Sequence, residues 1–168
     1  MFQRRETVFC KGESKMKKLD NYIVNLETLL LIPTADGETK VFETDEEFIV
    51  RKKMNDIIKD SCLFFGSSYE GRRDGTKALL KCEIKVPIII DDSRELILFP
   101  TLSFRNEKNA WIVYNNIIDY RKYDLDNTLF LFKNNNDIKV NVRYNIVDNQ
   151  MVRCLKLEAI IRKRKEIK

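Results

Sequence analysis

Short apolar runs separated by turn residues dominate the chain. Tyr22–Asn25 and Thr28–Ile32 read as strands, Asp36-Gly37 marks a turn, and Lys40–Glu43 and Glu47–Arg51 continue a meander. Residues 53–65 then change period. Met54, Ile57, Ile58 and Cys62 recur at spacings of three and four, with Phe65 beyond, which is one face of a short helix. Thr76–Cys82 reads as the start of another helical turn. Val86–Ile90 and Glu95–Phe99 are apolar strands joined through Asp91–Arg94, and Ala110–Tyr114 is a further strand. Thr128–Phe132 and Ile138–Val142 flank Asn134–Asp137, a strong hairpin signal. The end is helical. Asn145 stands at the N-cap with Asp148 three residues on, and Val147, Met151, Cys154, Leu155 and Ile161 share a face. Together these elements predict an α+β fold: an antiparallel β-meander with a middle helix and a basic C-terminal helix. Residues 19–168 read as a single domain and residues 1–18 as a basic tail.

Composition narrows the chemistry. With no histidine among 168 residues, a Ser-His-Asp or Cys-His arrangement is impossible and zinc has no imidazole ligand. The four cysteines show no CxxC spacing and read as free, mostly buried thiols. No apolar run reaches the length of a membrane span and the N-terminus lacks a signal-peptide stretch, so the expected location is the cytoplasm. No cofactor is implied. The net charge of +5 is uneven. Residues 153–168 hold seven basic and two acidic side chains, whereas residues 19–50 hold one basic and eight acidic. Such asymmetry suggests one face that meets an anion.

The candidate site is Cys62–Thr76. Three of the five glycines, at 66, 71 and 75, fall here with Ser67, Ser68, Tyr69, Arg72 and Arg73. The run reads as a loop whose amides, hydroxyls and guanidinium groups grip phosphate. Phe64 and Phe65 read as core. Arg72 and Arg73 are expected to project outward beside Lys77 and Lys81, because unpaired buried charge is costly. The Walker pattern fails, since Arg72-Arg73 follows Gly71 where Lys-Ser/Thr is required. Ser68 lies outside a nucleophile elbow, Cys62 sits on the apolar helix face, and Asp91-Asp92 reads as a turn; none of these marks an enzyme. Arg162, Lys163, Arg164 and Lys165 suit a helix C-terminus, where the dipole favours cations, and also suit long-range attraction of DNA.

The segment Cys62–Thr76 resembles the core motif of the ComK family of bacterial competence transcription factors. Leu96–Ser103 and Trp111-Ile112 match further blocks at fitting spacings, and weaker similarity runs from Tyr22 to Gln150. The resemblance implies an activator of competence genes that binds paired A·T-rich boxes of double-stranded DNA through the minor groove, as a dimer or tetramer. It also implies control by a Clp-type protease with its adaptor. Longer relatives carry a further C-terminal tail, and Asn25-Leu26 replaces a tighter Asn-Gly turn. Two other readings stand beside this one: a protein-interaction module using the acidic 19–50 region, and an RNA-binding domain.

Overall fold

A computed structural model describes residues 15–167. Most of the basic tail expected at residues 1–18, with Cys10, lies outside the described residues. Four strands open the fold: β1 (Lys18–Leu19), β2 (Thr28–Pro33), β3 (Thr39–Glu43) and β4 (Glu47–Val50). Helices α1 (Met54–Phe64) and α2 (Tyr69–Leu80) follow. Next come β5 (Ile88–Asp91), β6 (Leu96–Pro100), β7 (Trp111–Val113) and a short 3₁₀ turn at Tyr114–Asn116. The chain ends with β8 (Ile117–Lys122), β9 (Thr128–Phe132), β10 (Asp137–Val140) and α3 (Tyr144–Glu166).

The first seven strands form one sheet in the order β1-β4-β3-β2-β7-β6-β5, antiparallel except for β1 beside β4. The last three form a smaller antiparallel sheet, β10-β9-β8. This is the α+β meander expected from the sequence, with the additional small sheet folded onto it. The central strands are apolar at consecutive positions because both faces of the large sheet are covered. On one face Leu31, Ile88, Ile90, Leu96, Leu98, Trp111 and Val113 pack against Met54, Ile57, Ile58 and Cys62 of α1. On the other, Leu30, Ile89, Ile97, Phe99 and Ile112 meet Phe130 and Phe132 of the small sheet and Val147, Cys154 and Leu157 of α3. Trp111 is fully buried in the first layer.

Helix α2 joins the two layers. Its first residue, Tyr69, belongs to the α1 side, and Leu79 and Leu80 near its end pack on the α3 side. It thereby runs past β5 and shields the edge of the sheet.

Several local expectations change. Tyr22–Asn25 is not a strand: Tyr22 and Val24 are buried, the Tyr22 hydroxyl lies 2.6 Å from both Thr28 Oγ1 and Glu43 Oε1, and the Val24 amide donates to Ser61 Oγ on α1. Helix α3 begins at Tyr144 without a side-chain cap, so Asn145 is inside it and Asp148 accepts from the Tyr120 hydroxyl instead. Leu155 is exposed, on the side of α3 away from Val147, Cys154 and Leu157. Strand β8 escaped the sequence pattern because its residues are mostly exposed and do not alternate apolar with polar.

Candidate nucleic-acid interface

The glycine-rich run is a helix–helix junction. Gly66, with φ +91°, stops α1. Its amide donates to Leu63 O at 3.0 Å and the Ser67 amide to Cys62 O at 3.1 Å, the paired bonds of a Schellman stop. Two residues later Ser68 caps α2: its Oγ accepts the Gly71 amide at 3.0 Å. Gly71 and Gly75 are therefore helical. A Cβ at Gly71 would lie 3.2 Å from Ser68 Oγ and 3.3 Å from Ser67 Oγ, so the missing side chain leaves room for both hydroxyls.

Helical phase separates residues that a loop would treat alike. Tyr69 is buried, stacked on Phe104 at 4.2 Å between centroids and edge-on to Trp111 at 6.4 Å. Burial pushes its hydroxyl up to about 12, although the charge of Arg73 works against that shift. Cys62, directly beneath the junction, is likewise pushed up to about 11 by burial, with Arg72 opposing. A protonated, buried thiol is core, as its place on the helix face predicted.

Arg72 does not project outward. Its side chain is 8 % exposed; one nitrogen donates to Phe65 O at 3.1 Å and another pairs with Asp92 at 3.2 Å, in the β5–β6 turn. These two partners offset much of the burial cost, while Nε is buried without a hydrogen-bond partner among the described residues. Arg73, one residue on, is half-buried, with Asp74 as its ion-pair partner and its guanidinium 5.8 Å from the Tyr69 ring centre. Lys77 is half-buried and pairs with Glu83 at 3.2 Å, and exposed Lys81 ends α2 in the left-handed conformation. Phe64 is also a correction: it is 68 % exposed, and only Phe65 turns partly inward.

The basic end of α3 divides in the same way. Arg162 binds Glu95 at 3.0 Å and Glu158 at 2.6 Å, and Lys165 binds Glu95 at 3.3 Å and Asp92 O at 2.8 Å. Hydrogen bonding from Arg162, then from Lys165, holds the Glu95 carboxyl below its usual range. Lys163 and Arg164 are exposed and make no ion pair among the described residues. The β5–β6 turn thus touches both predicted clusters, through Asp92 to α2 and through Glu95 to α3.

A model of the family described as "ComK protein" matches residues 19–166, almost the whole described chain. The chain belongs to the ComK family. It is 36 % identical over 138 residues to the "Competence transcription factor" of Bacillus subtilis (strain 168), covering 80 % of this chain and 72 % of that relative. No solved structure matches it.

For this ComK-family chain the junction gathers Ser67, Ser68, Tyr69, Arg72 and Arg73, with Lys77 and Lys81 farther along α2. It does not gather the basic α3 residues, whose Arg162 and Lys165 are tied to the β5–β6 turn that also pairs with Arg72. Two cations escaped the sequence reading. Lys59 of α1 lies 5.8 Å from the Phe104 ring centre, and Arg105 follows Phe104 in an exposed loop tied to α1 by the Asn55 amide. The stacking of Phe104 on Tyr69 and the Asn55 amide bond bring that loop to the junction, and no local spacing signals a contact between residues so distant in the chain.

Proposed function

We propose that this chain is a DNA-binding activator of competence genes that selects A·T-rich boxes through the minor groove. Membership of the ComK family carries the reading, since a relative bears the name of a competence transcription factor. The geometry supports it in three ways. Helix α3 is committed to the core from Val147 to Leu157, and Arg162 and Lys165 near its end are tied to Glu95, so it is poorly placed to serve as a major-groove recognition helix. Arg73, Lys59 and Arg105 lie around one rigid junction, and an A-tract's narrow minor groove attracts inserted basic side chains. Ser67 and Lys77 are the residues we assign to adjacent phosphates; Lys77 gives up only a surface ion pair, a contact of small net value. Arg72 serves here as a positioning residue.

The acidic 19–50 region supports a partner-docking role less well. Asp20, Glu27, Glu38, Glu46 and Glu47 are each paired with a lysine or arginine within the chain. Paired boxes call for paired subunits. The exposed outer side of α3, with Val152 and Leu155, is the surface we assign to that self-association.

Equilibrium binding to A·T-box duplex, scrambled duplex and RNA at several salt concentrations tests the reading. The A·T duplex should bind tightest, a minor-groove ligand should compete, and major-groove methylation should have no effect. Equal affinity for a G·C-rich duplex, or tighter binding of RNA, contradicts it.

A further inference from the structure

The last two residues of α1 are apolar and bare: Leu63 is 63 % exposed and Phe64 68 %. Single exposed hydrophobic residues are ordinary, but here two adjacent ones stand on the lip of the junction. They are also held firmly. The Schellman bonds fix the Cys62 and Leu63 carbonyls, Arg72 fixes the Phe65 carbonyl, and the Phe65 ring meets Phe64 edge-on at 5.0 Å. Among the described residues, nothing covers this apolar tip at the end of α1.

The charges around it favour a polyanion. Lys59, one turn before Leu63 on the same face of α1, makes no ion pair among the described residues. Arg73 lies across the junction with only its neighbour Asp74 as ion-pair partner. Asp60, one turn before Phe64, is neutralised by Lys52 at 2.6 Å. Asp56, farther back along α1, and Glu70, in the first turn of α2, remain as exposed carboxylates. Apolar side chains flanked by Lys59 and Arg73 complement an apolar base stack flanked by phosphates. A second copy of the chain would instead bring the same cations against one another.

We propose that Phe64, supported by Leu63, is a wedge that enters a base step of bound duplex DNA from the minor groove, partly unstacking and kinking it. Minor-groove proteins commonly insert Phe or Leu in this way, and pyrimidine–purine steps yield most readily. The inference rests on the DNA-binding reading and adds to it the residue that deforms the DNA. It further implies that a TA step within an A·T box is the preferred point of entry.

The full chain is titrated with an A·T-rich duplex carrying 2-aminopurine at one adenine of a TA step, with donor and acceptor dyes at the duplex ends. Wild type should raise the 2-aminopurine fluorescence and shorten the end-to-end distance. Phe64→Ala, at an exposed position, should abolish most of both changes and weaken binding by about 5- to 100-fold, the range for loss of a base-stacking aromatic. Phe64→Leu should retain most of the signal. Light scattering on both variants should match wild type. Unchanged fluorescence and distance in Phe64→Ala would overturn the wedge while leaving DNA binding in place. Loss of self-association in that variant would instead make the tip a protein interface. Failure of wild type to bind the duplex would overturn the DNA-binding reading and the wedge with it.

Discussion

Arg72 and Arg73 are chemically identical in the sequence, and nothing local to them tells which is buried. Their roles diverge because one helical step turns a side chain by about 100°. Arg72 therefore meets Phe65 O and Asp92, while the more exposed Arg73 lies over the Tyr69 ring. Substitution should separate them. Arg72→Ala strips a charged donor from a buried carbonyl and should cost about 1.5–3 kcal/mol of stability, read as a lower urea midpoint. Arg73→Ala should change stability by less than about 0.5 kcal/mol. It should weaken DNA binding and reduce the log–log salt slope by about one. Equal urea midpoints for the two variants would place Arg72 outside the core after all.

At the scale of elements, α1, α3 and the strands other than β1 and β8 were legible because each carries a hydrophobic period or run that its layer of the fold uses. Helix α2 was legible only at its end. Gly71 and Gly75 each lower helix propensity by about 1 kcal/mol relative to alanine, so local preference argued for a loop. Burial of Tyr69 and Thr76, packing of Leu79 and Leu80, and the Ser68 cap override it. The glycines now predict opposite outcomes. Gly66→Ala must hold a side chain at φ +91° and should destabilise by about 1–2 kcal/mol. Gly75→Ala meets no atom within 4 Å and should stabilise by about 0.5–1 kcal/mol. Thermal melts of the two variants check both signs, and a loss of stability in Gly75→Ala would contradict the helical assignment.

Across the whole molecule, the β5–β6 turn links α2 to the end of α3, a tie that no sequence pattern announced because it joins residues far apart in the chain. Glu95 gives that tie a pH dependence. Its folded-state carboxyl lies below the ordinary value, first through Arg162 and then Lys165, so its contribution is present above the unfolded value of about 4.3 and fades as pH falls through the lower folded one. Amide exchange at the last turns of α3 should therefore accelerate at acid pH in wild type. In Glu95→Gln it should already be fast at neutrality. Lys163 and Arg164, free of that tie, are the residues we assign to long-range attraction, which is screened beyond about 8 Å at physiological salt. Replacing both by Gln should weaken binding to every duplex alike and leave the A·T preference intact; a collapse of the preference would move sequence reading to α3.

The central claim is that the α1–α2 junction, rather than the basic end of α3, selects the DNA. The most direct measurement compares A·T-box and G·C-rich duplexes of equal length, bound by wild type and by Arg73→Ala whose fold is verified by circular dichroism. Wild type should prefer the A·T duplex, and Arg73→Ala should lose affinity for it and much of that preference. An Arg73→Ala protein that binds both duplexes as wild type does would contradict the account.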